Sequence, residues 1–222
     1  MTKALKQPLG SRFSEALTFA ADIHRHQARK GTQIPYMSHI LGVASAALEY
    51  GANEDEAIAA LLHDAIEDAP DALGNGKASV VRSWIRLKFG EQVLGIVEGC
   101  TDADEDPKPR WRPRKEQYVS RIAGEPPSVL LVSVADKLHN VRAILRDYRT
   151  VGDALWSRFN PEAGRDGTVG YYRGLALAYS GRVEAVGDVR VAALVEAFGR
   201  VVEELEDAVG VKGQWPLQSE DS

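Results

Sequence analysis

Along most of the chain apolar residues recur at the spacing of one buried helix face, and the apolar–polar alternation of a half-buried strand is missing. The pattern predicts an all-α fold. A first helix is expected from about Ser11 to Lys30, with Phe13, Ala16, Leu17, Ala20, Ala21 and Ile23 as its apolar stripe. A second, from about Met37 to Tyr50, stops at Gly51, a residue suited to a left-handed C-cap. Asn53, with Glu56 three residues on, reads as a capping box that opens a third helix, running through HDAIED to a break at Pro70. Further helices are expected at about 78–89, 90–100, 112–123, 127–148, 168–181 and 187–208. Together they predict one helical bundle over residues 11–182, a C-terminal helix over 183–210 that packs on this domain or on a partner, and a frayed tail over 211–222. If the helix at 187–208 turns its apolar stripe outward, it supports a homodimer.

The connections carry their own signals. Gly76-Lys77 in the turn-rich stretch PDALGNGK is not a phosphate-binding P-loop, because the first glycine of that motif would fall at Asp71. Residues 102–114, DADEDPKPRWRPR, pass from acidic to basic around three prolines and are expected as an exposed loop near whatever the protein binds. Residues 160–170 are expected as a second flexible connection.

Composition narrows the chemistry. Across 222 residues, 27 Lys and Arg stand against 32 Asp and Glu, and the formal charge of −5 offers no general attraction to nucleic acid. Cys100 is the only cysteine, which excludes a disulfide framework and any thiolate cluster, so a bound metal would need imidazole and carboxylate ligands. No stretch approaches the roughly 20 apolar residues that span a bilayer, and no leader-like segment opens the chain, so no membrane association and a cytoplasmic address are expected.

Against this background one segment stands apart. AIAALLHDAIED, residues 57–68, is apolar on nearly every side, as a buried helix is, yet His63, Asp64, Glu67 and Asp68 interrupt it. At helical spacing its carboxylates share a ridge, repel one another, and have no Lys or Arg within the segment to offset their burial. Residues 128–145, SVLLVSVADKLHNVRAIL, repeat the situation with Asp136 in an apolar run. A divalent cation between the two helices would satisfy His63, Asp64 and Asp136, and His39, after PYMS, is a natural fourth ligand. Such a His/Asp shell suits Mn²⁺, with Fe²⁺ or Zn²⁺ also compatible. The alternative is a salt-bridged core in which each aspartate pairs with an arginine and His63 is an ordinary buried histidine.

The doublet with a distant upstream His and a distant downstream Asp resembles the HD superfamily of phosphohydrolases. RKGTQIPYMSH at 29–39, AALLHDAIEDAP at 59–70, CTD at 100–102 and ADKLHNVRAI at 135–144 resemble, more narrowly, the hydrolase domain of the RelA/SpoT family, over about residues 11 to 180. That family removes the 3′-pyrophosphate from the guanosine alarmones (p)ppGpp, and the chain is too short for its synthetase and regulatory domains. The resemblance implies a stand-alone hydrolase in which His39, His63, Asp64 and Asp136 bind Mn²⁺. It implies that Glu67 and Asp68 are the catalytic acids, and that Arg29, Lys30 and Asn140 contact a purine nucleotide. Tyr171 is carried over as a further contact, with Tyr172 as the other candidate, and Lys115, in the run Arg112 to Lys115, as one that meets substrate phosphates. Two departures stand out: GTQI places one extra residue between Lys30 and Pro35, and Ile40 follows His39 where proline is usual. They bear on base selectivity more than on metal binding.

Hydrolysis with water activated by the cation needs neither a covalent nucleophile nor a redox cofactor, and Glu67 would orient or deprotonate that water with Asp68 in support. Each assignment has a structural counterpart: Glu67 and Asp68 as solvated acids at a helix end, Arg29 and Lys30 as cations at a helix C-terminus, and the 112–115 run as a solvated face. His24 and His139 are expected to pack or to support the ligands, and His26 to lie on the surface. Other readings of the chain as a whole are an HD phosphohydrolase acting on an adenine alarmone, a nucleoside monophosphate or the 2′-phosphate of NADPH, a nucleotide sensor without turnover, and a helical interaction protein.

Overall fold

A computed structural model describes residues 8–72, 77–103, 107 and 109–216. Residues 217–222 of the expected tail, and 104–106 and 108 of the acidic-to-basic loop, lie outside the described residues. The fold is all-α, and among the described residues the only β-type pairing is an isolated bridge between Ala28 and Pro35. The helices are α1 (Ser11–Ile23), α2 (Met37–Glu49), α3 (Glu54–Leu62), α4 (Ala65–Ala72), α5 (Ala78–Phe89), α6 (Glu91–Cys100), α7 (Trp111–Arg121), α8 (Pro127–Val151), α9 (Gly164–Val186) and α10 (Val189–Val209). Short 3₁₀ turns cover Ile122–Gly124 and Gly152–Arg158. None of the helices is long and apolar enough to cross a membrane.

Two helices organise the core. From Glu56 to Leu62 every residue of α3 is buried, and the helix is enclosed by α1, α2, α6 and α8. The other is α8, whose Val129 to Asp136 are continuously buried and which touches α2, α3, α6, α9 and α10. Pro127 at its first turn gives up an N–H that would have no helical partner in any case. Helix α10 lays Val191, Leu194, Phe198, Val202 and Leu205, one apolar stripe, against α8 and α9.

The capping box forms as the sequence predicts: Asn53 Oδ1 accepts the amide of Glu56 at 3.0 Å, and Glu56 Oε2 accepts the amide of Asn53 at 2.8 Å. Gly51 follows α2 with φ +86.

Three expected helices change: the one expected at 168–181 runs from Gly164 to Val186, so most of the connection expected at 160–170 is helical, and two others change shape. The first ends at Ile23 rather than Lys30, because from His24 to Gln33 the single apolar residue, Ala28, is exposed and no apolar face continues. They instead form a loop closed by Arg29 N–H to Ile34 C=O at 2.9 Å and Tyr36 N–H to Gln27 C=O at 2.8 Å, with Gly31 at φ +71. Arg29 and Lys30 therefore do not cap a helix. The third is two helices: His63 Nδ1 engages the carbonyl of Ala60 at 2.9 Å, α3 stops at Leu62, and the amides of Glu67 and Asp68 turn back to the carbonyl of Asp64 to start α4. The expected break at Pro70 is absent, since α4 carries on to Ala72.

Candidate metal centre and nucleotide pocket

The break at His63-Asp64 is what aims both side chains at one point. His39 enters from α2 and Asp136 from α8, and the ligand-capable atoms of His39, His63 and Asp136 lie within 4.8 Å of one another. His39 Nε2 is 3.2 Å from His63 Nε2 and 3.3 Å from Asp136 Oδ1, and His63 Nε2 is 3.7 Å from that oxygen. Asp64 Oδ2 closes the group at 2.9 Å from His63 Nε2 and 3.7 Å from His39 Nε2. Donors bonded to one cation at about 2.1 Å sit about 3.0–3.5 Å apart, so the spacing fits a shared ion.

The surrounding hydrogen bonds agree. The bond from Nδ1 to the Ala60 carbonyl orients the His63 ring so that Nε2 is the nitrogen facing Asp64 and Asp136. His39 Nδ1 meets Nδ1 of His139 at 2.9 Å, and the His139 ring lies on Gly42, where a Cβ would be 2.2 Å from its Cδ2. Asp136 accepts from Lys137 Nζ and from Asn140 Nδ2, each at 2.6 Å. No Lys or Arg among the described residues pairs with Asp64, whose Oδ2 accepts from Tyr36 Oη at 2.5 Å. Arginine pairing, the alternative read from the sequence, is therefore not what holds these aspartates.

Burial opposes the charged form of both imidazoles. At His39 burial prevails and the imidazole is driven toward neutrality; at His63 the neighbouring Asp64 and Asp136 outweigh burial and raise the group to about 9. Burial also opposes ionisation of Asp64 and Asp136, but His63 beside the first and Lys137 beside the second overcome it and hold both below the ordinary carboxylate range. Two buried imidazoles facing two ionised carboxylates form an N₂O₂ donor set that a divalent cation completes.

The acidic ridge read from the sequence separates in three dimensions. Glu67 Oε1 accepts the amide of Asp102 at 2.9 Å. Asp68 Oδ2 accepts from Gln27 Nε2 at 3.0 Å, and Gln27 Oε1 meets Nδ1 of the buried His24 at 2.6 Å. Both acids occupy the first turn of α4, where the helix dipole favours negative charge.

Beside the cluster lies a cavity of about 240 Å³ whose polar lining includes Arg29, Lys30, Asn140, Asp147, Arg158 and Tyr172. Arg29 Nη2 donates to Asn140 Oδ1 at 3.0 Å, and its buried Nη1 has no hydrogen-bond partner. Asn140 thus joins the pocket directly to Asp136. Tyr172 lines this cavity, while Tyr171 lies outside its lining: its buried hydroxyl is unpartnered and Lys115 Nζ sits 4.9 Å from its ring centre. Lys115 also donates to Asp102 Oδ2 at 2.7 Å, next to Arg114 on the same oxygen, and Arg112 pairs with Glu116. The basic run is therefore internally engaged at each of these cations.

Sequence reasoning missed Tyr36, Gln27, Lys137, Asp147 and Arg158. For Asp147 a signal existed: Asp136, Asn140, Ala143 and Asp147 are spaced 4, 3 and 4 and share one face of α8.

Helices carrying a buried His/Asp cluster of this kind define a metal-dependent phosphohydrolase. The chain belongs to the HD domain family, which matches residues 16–169. It is 38% identical over 135 residues to guanosine-3′,5′-bis(diphosphate) 3′-pyrophosphohydrolase MESH1 of Mus musculus, spanning 60% of this chain and 69% of that protein, and 37% identical over the same spans to its Homo sapiens counterpart. It is 30% identical over 139 residues to the bifunctional (p)ppGpp synthase/hydrolase SpoT of Escherichia coli strain K12, 60% of this chain and 18% of that protein. A solved structure described as a metazoan ortholog of SpoT that hydrolyzes ppGpp shares the fold, with a TM-score of 0.65 and 22% identity over 93% of this chain and 99% of the other.

Proposed function

We propose that the chain hydrolyses the 3′-pyrophosphate of guanosine alarmones, (p)ppGpp, to give GDP or GTP and pyrophosphate, with Mn²⁺ held by His39, His63, Asp64 and Asp136. The observation that carries this reading is the buried N₂O₂ cluster opening, through Asn140, onto a pocket that presents Arg29 with an unpartnered buried N–H. The relatives named for this activity agree with it. A divalent cation in such a shell supplies Lewis acidity toward phosphoryl oxygen and an activated water.

The protein's own groups do the rest. Glu67, held by the Asp102 amide, takes or orients the proton of the attacking water, and Asp68, held by Gln27, supports it. Arg29 and Lys30 bind the nucleotide and Asn140 its ribose-phosphate end, with Tyr172 on the pocket wall. Lys115 and Tyr171 form a second polar corner, tied through Asp102 to Glu67, where further phosphate charge is met.

The test is product analysis by chromatography on the purified chain with Mn²⁺ and with chelator. The substrates are ppGpp, ppApp, NADPH and simple nucleoside mono- and triphosphates. Metal-dependent release of pyrophosphate with GDP from ppGpp is the expected result. Cleavage of another nucleotide alone reassigns the substrate, and no cleavage of any of them sinks the hydrolase reading.

A further inference from the structure

The pocket has a direction. Its Tyr36 and Asn140 end touches Asp64 and Asp136, so phosphates belong there, and the base must lie toward the other end. Along α8 that other end is reached at Asp147, eleven residues after Asp136, or about 16 Å along the axis at about 1.5 Å per residue, a separation of nucleotide scale. Ile144, Leu155 and Phe159 supply apolar walls there, as a stacked base requires.

Asp147 is out of character in this pocket. The charged residues around it, Arg29, Lys30, Arg146 and Arg158, are all cationic, as suits a phosphorylated ligand, and a carboxylate among them repels phosphate. Arg158 Nη1 donates to Asp147 Oδ2 at 3.1 Å and Arg146 Nη2 to Oδ1 at 2.9 Å. Arg146 Nε also donates to Oδ1, at 3.1 Å, so of the carboxylate's about four lone-pair sites one stays open on Oδ2, and Oδ1 becomes available when the exposed Arg146 side chain swings off it. Arg158 is itself confined: Gly31 lies so close beneath it that a Cβ there would be 2.7 Å from its Cδ.

We propose that the Asp147–Arg158 pair reads the base and makes the pocket selective for guanine over adenine. The inference rests on the nucleotide reading above. Guanine presents N1–H and an N2 amino group side by side, two donors that match the two acceptor oxygens of Asp147, while its O6 accepts from Arg158. Adenine offers N6–H beside the N1 lone pair, so one carboxylate oxygen would face another acceptor. Asp147 and Arg158 are partly buried, with 23% and 25% of their side-chain surface exposed, so leaving them unpaired against the wrong base costs affinity.

Isothermal titration of GDP and ADP into the full chain with Mn²⁺, as wild type and as Asp147→Asn, tests this alongside ppGpp turnover. Wild type is expected to bind GDP more tightly than ADP by about fivefold to a hundredfold, the worth of one good bidentate base contact. Asparagine offers one acceptor and one donor, the pattern adenine complements, so the variant is expected to lose GDP affinity and gain ADP affinity. A merely structural role for Asp147 would not raise ADP affinity. Arg158→Gln keeps the carboxylate and is expected to weaken GDP alone. Equal affinity of wild type for GDP and ADP, or parallel loss of both in Asp147→Asn, overturns the proposal even if ppGpp is hydrolysed. Guanine preference without ppGpp hydrolysis instead overturns the substrate reading and supports this one.

Discussion

Helix α3 has a buried carboxylate at one end and leads into a half-buried one at the other end, and the two are treated in opposite ways. Glu56, fully buried, accepts from Arg190 at 2.8 and 3.2 Å, from Ser128 Oγ at 2.7 Å and from the Asn53 amide at 2.8 Å. Its lone pairs are spent on permanent partners, and the result is a staple from α3 to α8 and α10. Asp64, just past the other end of α3, has a tyrosine hydroxyl and two imidazole nitrogens but no Lys or Arg, and Asp136 opposite it shares those imidazoles besides Lys137 and Asn140. Burial of an acid is therefore not the mark of a site. What separates the two is whether the chain supplies the whole countercharge or leaves part of it to a ligand.

The comparison is broken most severely at its open end. Asp136→Ala is expected to abolish metal uptake, measured by elemental analysis of the purified chain. It should also cost turnover about a thousandfold or more, the several kcal/mol a Lewis acid supplies; full metal content in this variant would remove Asp136 from the shell. At the closed end, Arg190→Met leaves Glu56 buried beside Ser128 without its cation. A stability loss of about 3 kcal/mol or more by urea unfolding is expected, with metal content unchanged, and metal loss there would show that the two ends are not independent. Between them, Glu67→Ala removes the proposed proton acceptor but no ligand. Turnover should fall by about a hundredfold or more with metal retained, and an unchanged rate would pass the role to Asp68 or to neither.

How legible the site was depended on how locally it is encoded. His63, Asp64 and Asp136 stood out because charged side chains interrupting an apolar run are visible in one window of sequence. The break between α3 and α4 was not, because it depends on a bond between the His63 ring and the Ala60 carbonyl that competes with a regular helix pattern. The short α1 was legible in principle, since its stripe ends at Ile23, but a run of polar helix-tolerant residues hid the stop. Tyr171 and Tyr172 differ by one position and hence by about 100° around α9, and only the neighbours of that helix decide which of them faces Arg29.

The sequence by itself determined the helical class, the capping box at Asn53 and which histidines and aspartates interrupt the apolar helices to form the cluster. Each is written in spacings of a few residues or in a charge misplaced on an apolar face. Only the tertiary structure decided that Glu67 and Asp68 point to different partners, that the 112–115 cations are engaged, and that Asp147 and Arg158 share a pocket with Arg29. Those relations join residues up to about 130 positions apart, and the distance between such residues is set by how whole helices pack, which no local periodicity records.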